Sequence, residues 1–386
     1  MKNRISVLVT GCLVLLFAGV IYAWSVLKAP LATEFGWQKA ELQLCFTITL
    51  CFFCLGGLAS GLAAKKISLR VRLIAAAVLI FAGFGIASKA SALWSIYISY
   101  GVLAGTGIGI VYNGVISAVN ACFADKKGLS SGLMMMSFGF SALLLGKLAN
   151  ALFEPIGRFG TYFLLGSVTA AAVLISAFVL KAAPAPAKQQ TGVQEGLSTA
   201  QMVKRPSFWL LFVFFTLLAA VGSTAIGFGK DFFTSIGLAD GAAVTVAGLL
   251  SIFNGLGRLA SGAIFDALGI KKTQLITSGV AILSPALALV ACLTSQPILG
   301  IIGLCLCGFT YGFSPTVSAA LVGDFYGMKH FSLNFPVLNL VLIPASFVST
   351  LAASLVESSG GYVSTFIVLT AMSVVGLIIN LTIKKA

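Results

Sequence analysis

The stretch Asn254-Gly255-Leu256-Gly257-Arg258-Leu259-Ala260-Ser261-Gly262-Ala263-Ile264-Phe265-Asp266 decides how this chain is read. It closes an apolar run from about residue 242 to about residue 265, with ends good to ~3 residues. A bilayer-spanning helix needs about 20 residues, so the run is long enough to cross. One full charge, Arg258, lies inside it. A guanidinium cannot shed its proton to escape burial, and near the middle of a membrane helix it costs roughly 3 kcal/mol on insertion scales. Asn254 precedes it by four residues and so lies on the same helix face. We expect both side chains to face an internal cavity in which Arg258 holds an anionic substrate. The alternative left open is that Arg258 reaches toward the membrane surface and bonds Asp266 or loop carbonyls. About 12 Å of helix rise separates those two positions, which argues against direct pairing along a straight helix.

The surroundings support a membrane setting. The 386 residues are 59% hydrophobic and 9% charged, with a mean hydropathy of +1.07; soluble domains carry about 25% charged residues. Transmembrane barrels alternate in segments of about 10 residues, whereas the apolar runs here are about twice that. Twelve can be drawn, at about 5–27, 41–64, 71–90, 94–122, 129–153, 160–180, 207–230, 242–265, 273–293, 298–323, 331–356 and 362–383. The first is longer than a typical signal-peptide core and lacks a clear small-residue cleavage site, so it reads as a retained helix. The one long polar interruption, 181–206, contains Ala-Pro-Ala-Pro and a Gln/Thr/Gly/Glu stretch and reads as a flexible linker. The expected fold is an all-α membrane protein with twelve transmembrane helices in two pseudo-symmetric six-helix bundles, residues 1–180 and 207–386.

The net charge of +14 is not a nucleic-acid signal, because the basic residues cluster in short loops. If both termini are cytoplasmic, the inner set is Lys2, Arg4, Lys65, Lys66, Arg70, Arg72, Lys126, Lys127, Lys181, Lys188, Lys204, Arg205, Lys271, Lys272, Lys329, Lys384 and Lys385. The outer set is Lys28, Lys39, Lys89, Arg158 and Lys230. Seventeen against five orients the chain by the positive-inside rule, with cytoplasmic termini and linker, in a cell inner (plasma) membrane. Lys147 and Arg258 remain within the bilayer.

An internal repeat agrees with the division. Leu58-Ala59-Ser60-Gly61 and Leu259-Ala260-Ser261-Gly262 are 201 residues apart, and each precedes a short basic loop. Phe123-Ala124-Asp125-Lys126-Lys127 is echoed by Phe325-Tyr326-Gly327-Met328-Lys329 at nearly the same spacing. In this register Arg258 pairs with Gly57. Scaffold residues should recur between the halves, whereas substrate residues need not.

Two six-helix halves joined by a cytoplasmic linker describe a major facilitator fold, in which substrate binds between the halves near the midplane. The loop Gly262-Ala-Ile-Phe-Asp266-Ala-Leu-Gly269-Ile-Lys271-Lys272 resembles that superfamily's G-x-x-x-D-x-x-G-(R/K) loop. Its counterpart Gly61-Leu-Ala-Ala-Lys65-Lys66-Ile-Ser68-Leu-Arg70 has Lys65 in place of the acid and Ser68 in place of the second glycine. The first half therefore lacks the acid that a helix-end latch would use. Tyr22-Ala-Trp24-Ser-Val-Leu-Lys-Ala-Pro30-Leu with Glu34-Phe35-Gly36-Trp37 resembles the first helix and outer loop of oxalate/formate antiporter-type transporters. Cys122-Phe123-Ala124-Asp125-Lys126-Lys127-Gly128-Leu129-Ser130-Ser131-Gly132 is similar to their W-F-P-D-K-R-G-L-A-x-G. Tyr112-Asn113-Gly114, Thr310-Tyr311-Gly312, and Gly323-Asp324-Phe325-Tyr326-Gly327 with Asn334 extend the likeness over nearly the whole chain.

That family is close to the monocarboxylate transporters, whose eighth helix carries an acid or amide four residues before a substrate-binding arginine, as Asn254 precedes Arg258. The resemblance also implies that Tyr112 contacts the carboxylate. Oxalate carriers of the family place a lysine in helix 11; the ungapped match puts Leu342 there. Lacking that second cation, the chain is expected to carry a monocarboxylate such as lactate, pyruvate or formate. An oxalate/formate-type exchanger and a non-transporting sensor or receptor with this fold are the alternatives.

Tyr22, Trp24, Phe309 and Tyr311 are further candidates to line the cavity, Tyr112 and Tyr311 above all, since a hydroxyl at mid-membrane needs a partner. Lys147 is a candidate for an outer-gate or substrate role, against the simpler reading that it snorkels outward. Protons are a candidate co-substrate, although no carboxylate falls securely at mid-membrane; Glu41 and Asp231 lie near outer helix ends. No cofactor is expected. The eight cysteines lie in or beside apolar runs, where cysteine packs as a small hydrophobe, and His330 is the sole histidine. Gly105-Thr-Gly107-Ile-Gly109 reads as a packing face inside a helix rather than a phosphate loop. The chain is therefore expected to be no enzyme, and to work as a monomer in the lipid bilayer.

Overall fold

The computed structural model describes residues 2–123, 127–180 and 196–384. Most of the expected linker, the Ala124-Asp125-Lys126 part of the repeat and Lys385 lie outside the described residues. Ten helical stretches are long and apolar enough to cross a membrane. Two of them are each a pair of helices, broken at Gly157 (φ 64°) within Lys127–Val179 and at Gly269 (φ 74°) within Asp240–Thr294. Glycine carries little penalty at positive φ, so one helix ends and the next begins with almost no loop. Twelve crossings result among the described residues. They are α1 (Arg4–Phe35), α2 (Glu41–Ala63), α3 (Leu69–Ser88), α4 (Leu93–Cys122), α5 and α6 (Lys127–Val179 before and after Gly157), α7 (Pro206–Ser235), α8 and α9 (Asp240–Thr294 before and after Gly269), α10 (Pro297–Tyr326), α11 (Phe331–Val356) and α12 (Val363–Thr382). Leu62, Val78, Ile175, Leu293 and Leu381 point outward as exposed side chains. An apolar exterior of this kind suits hydrocarbon rather than water.

Close glycine contacts hold the helices in matched pairs. A Cβ on Gly105 would meet the Thr49 carbonyl at 2.8 Å, and one on Gly308 the Leu250 carbonyl at 2.7 Å. Likewise Gly109 abuts the Phe53 carbonyl and Gly312 the Asn254 carbonyl. The α2 positions recur in α8 after 201 residues and the α4 positions recur in α10 after 203. Small residues let the backbones approach this closely. The Gly105/Gly107/Gly109 stretch is thus a packing face.

The repeated Leu-Ala-Ser-Gly tetrapeptides are where each half meets the other. Gly61 of α2 abuts the Ser332 carbonyl of α11, and Gly262 of α8 sits 2.5 Å (as Cβ) from the Gly128 carbonyl of α5. Two seams therefore run between the halves, α5 against α8 and α2 against α11. Both close toward the face that carries the 64–68 loop and the Gly269 break, called here the basic face. On the first seam Asp266 accepts a hydrogen bond from the Leu129 N–H at 3.1 Å, placing a carboxylate at the N-terminal end of α5, where the helix dipole favours it. On the second, Asn113 of α4 donates to the Gly57 and Ser332 carbonyls at 2.9 and 3.2 Å. Ser68, standing where the loop motif has glycine, caps α3 by accepting from Val71 N–H at 3.4 Å.

Two helices are interrupted at the centre of the molecule. In α1, Gly19–Ala23 winds as a 3₁₀ turn, with Gly19 packed onto the Phe138 carbonyl. In α11 the regular helix stops at Asn339 and resumes at Leu342. Pro344 has no N–H to give the Leu340 carbonyl; Ile343 N–H bonds it instead at 3.0 Å.

Candidate functional site

Arg258 is 1% exposed, the largest fully buried side chain described. Its Nε donates to Asn254 Oδ1 at 3.1 Å and its Nη1 to the Met135 carbonyl of α5, also at 3.1 Å. The guanidinium carbon lies 5.8 Å from the Tyr22 ring centre and 5.9 Å from that of Phe138, within cation–π range. Hydrogen bonds from a charged donor contribute about 1.5–3 kcal/mol each, so two of them offset the roughly 3 kcal/mol of burial. A guanidinium has five N–H groups; these bonds leave three for a ligand. The alternative pairing with Asp266 does not occur. That carboxylate is engaged with α5, and Arg258 points to the interior.

The guanidinium opens on a cavity between the halves. Tyr22, Phe53, Tyr112 and Phe138 form its wall from α1, α2, α4 and α5. Tyr311, Ser314 and Pro315 of α10, with Asn339 and Leu342 at the α11 interruption, complete it. The Tyr22 and Tyr311 hydroxyls, from opposite halves, lie 3.4 Å apart. Tyr112 packs at a tilt between Phe138 and Phe53, with centroids at 5.0 and 5.1 Å. Among the described wall residues Arg258 carries the only charge. The remaining space is about 10 Å³, room for a water molecule. A carboxylate therefore enters only when the halves or the wall side chains part.

Five of the six residues expected from sequence meet here: Arg258, Asn254, Tyr112, Tyr311 and Tyr22. Lys147 does not. It is exposed on α5, while the preceding Gly146 faces Val26 and Ala23 of α1, which turns Lys147 away from the cavity. Trp24 is buried outside the wall, donating to the Leu42 carbonyl at 2.9 Å and packing on Tyr100 at 4.6 Å. Phe309 packs on Phe313 at 5.0 Å and is likewise not a wall residue. Phe53, Phe138, Ser314, Pro315 and Asn339 were not singled out from sequence; in an apolar helix nothing distinguishes a wall phenylalanine from a packing one. The Met135 carbonyl has no sequence signature at all.

The family model of the Major Facilitator Superfamily matches residues 9–342. The chain belongs to the Major Facilitator Superfamily and is a membrane transporter, not an enzyme. It is 24% identical over 340 residues to the oxalate:formate antiporter of Oxalobacter formigenes, covering 86% of this chain and 80% of that one. It is 23% identical over 329 residues to monocarboxylate transporter 12 of Xenopus laevis, covering 78% and 71%. In fold it superposes on the Escherichia coli fucose:proton symporter FucP with a TM-score of 0.74 at 13% identity, over 100% of both chains.

Proposed function

We propose that this protein carries a small monocarboxylate, such as lactate, pyruvate or formate, by alternating access, with Arg258 binding the carboxylate. The observation that carries the reading is a single buried guanidinium, held by Asn254, facing a cavity whose other described walls are uncharged. Arginine offers a bidentate fork to a carboxylate, and the attraction is large in a low-dielectric cavity. The Tyr22 and Tyr311 hydroxyls, 3.4 Å apart, would bond a carboxylate oxygen or a substrate hydroxyl. Phe53, Phe138 and Leu342 suit a short apolar body. One cation matches one negative charge. We take the basic face as cytoplasmic, from the distribution of lysine and arginine, and the working unit as a single chain, since both halves of the site come from it.

The likeness to the oxalate:formate antiporter favours a second reading, exchange of a dicarboxylate for a monocarboxylate. Uptake of labelled lactate, formate and oxalate into proteoliposomes separates the two. Under the first reading lactate or formate enters and oxalate does not. Arg258→Ala should then lose uptake by more than about 100-fold, the scale of a charge-assisted bidentate contact, with the purified variant still folded; near-normal uptake would sink the assignment. Leu342→Lys should add the second cation and raise oxalate uptake relative to lactate, whereas unchanged selectivity would place α11 away from the ligand. The described wall offers no carboxylate to carry a proton, so we assign no side chain to proton coupling. Flux measured under an imposed pH gradient tests whether the substrate brings a proton with it.

A further inference from the structure

Arg258 has a second partner that substrate recognition does not require. Its Nη1 bonds the main-chain carbonyl of Met135, which belongs to α5 in the opposite half. The contact lies inside the α5–α8 seam. Gly132 and Gly139 of α5 face the same stretch of α8, a Cβ on Gly132 falling 3.0 Å from the Arg258 carbonyl and one on Gly139 3.4 Å from Arg258 Nε. Thr316 of α10 donates to Met135 Sδ at 3.4 Å. The α2–α11 seam repeats this arrangement in neutral form. There Cys54 of α2 donates its thiol to the Asn339 carbonyl of α11 at 3.4 Å. Cys54 is the counterpart of Gly255 in the 201-residue register, one turn from Arg258. One seam is pinned by a charge that an anion can compete for, and the other by the Cys54 thiol and the Asn113 amide, both neutral donors.

We propose that Arg258 is a ligand-operated pin: with no anion bound it locks α8 to α5 through the Met135 carbonyl, and a carboxylate draws the guanidinium off that carbonyl and frees the basic-face seam. A carboxylate is a stronger acceptor for a guanidinium than a neutral carbonyl, because both partners are charged. A ligand shifts a two-state equilibrium only by its different affinity for the two states. Competition for Nη1 supplies that difference: in the closed seam the Met135 carbonyl shares it with the carboxylate, whereas in the parted seam the carboxylate has it alone. The pin and its release rest on the carboxylate reading of the site; the pin alone does not.

The test uses the full-length chain in nanodiscs with all eight cysteines retained. Spin labels are introduced as noncanonical amino acids at Lys66 and Lys272, both exposed on the basic face and in opposite halves, and their separation is measured by double electron–electron resonance. Without anion the wild type should show the short, closed distance. Lactate or formate should move the population to a longer distance, and lactamide, which lacks the charge, should not. Arg258→Gln should show the longer distance without any anion, with the closed-to-open ratio falling about ten-fold or more, the scale of one charge-assisted hydrogen bond, and should not respond to lactate. Asp266→Asn, which loosens the seam elsewhere, should shift the resting ratio and keep the lactate response. A closed Arg258→Gln seam overturns the pin, as does a wild-type seam that stays closed while calorimetry shows lactate bound. An open Arg258→Gln seam combined with no wild-type binding of lactate, formate or oxalate supports the pin and overturns the carboxylate reading.

Discussion

At the scale of single residues, the amide at 254 matters as much as the arginine. Asn254 accepts from Arg258 Nε without cancelling its charge, so the guanidinium is oriented yet still electrostatically available. An aspartate there would neutralise it. Asn254→Asp should reduce monocarboxylate uptake at least about ten-fold, because a fixed carboxylate competes with the mobile one. Proteoliposome uptake of labelled lactate by the variant checks it; wild-type uptake would mean that the amide at 254 does not preserve the charge the substrate uses.

At the scale of helices, the paired glycine contacts make a sharper claim than the helix count. Gly109 and Gly312 occupy mirrored positions, each against a carbonyl of the neighbouring helix. Alanine at either should lower the thermal midpoint by a similar amount, whereas Gly85→Ala and Gly279→Ala, which meet nothing within 4 Å, should hold or raise it, since alanine favours a helix by about 1 kcal/mol over glycine. Thermal unfolding in detergent compares the four variants, and unequal losses at 109 and 312 would show that the halves are not packed alike. Sequence carried the first-half contacts as the Gly105-Thr-Gly107-Ile-Gly109 packing face, and its Leu-Ala-Ser-Gly echo marks where the halves meet. It also carried Arg258 and Asn254, because a charge in an apolar helix is costly and its i−4 neighbour must share its face. It did not carry the α1 and α11 interruptions as features of the site. The 3₁₀ turn at Gly19–Ala23 answers to the neighbouring α5 backbone rather than to any local breaker. Lys147 lies on the exposed face of α5, as its outward-snorkelling reading has it; a lone charge in a helix does not reveal which face points inward.

At the scale of the whole molecule, the two seams differ in kind. α5 against α8 is held by an arginine and an aspartate, whereas α11 is held to the first half by an amide of α4 and a thiol of α2. The rocking of the halves proposed above would break both. The matched glycine contacts within each half give α2 with α4, and α8 with α10, the character of solid blocks, so the motion concentrates at the seams and at the interruptions beside the cavity. The substitution of Lys65 for an acid fits this asymmetry: the Asp266 latch has no acidic counterpart in the first half, and Leu333 N–H at the start of α11 bonds the His330 carbonyl of its own chain segment instead.

The bond from Arg258 to the Met135 carbonyl also bears on how the chain is made. Residue 135 leaves the ribosome well before residue 258, so the acceptor is already in the membrane when the arginine arrives. Helix α8 by itself must enter lipid with a cation held only by its own Asn254 amide, against a cost of roughly 3 kcal/mol; beside α5 it gains the Met135 carbonyl. Biogenesis of the second half should therefore depend on the first. Synthesised alone, residues 207–386 should insert α8 poorly, as glycosylation-site mapping at the 236–239 loop would register, and co-synthesis of residues 1–180 should rescue it. Efficient insertion of the isolated half would show that the arginine finds another partner on its way into the bilayer.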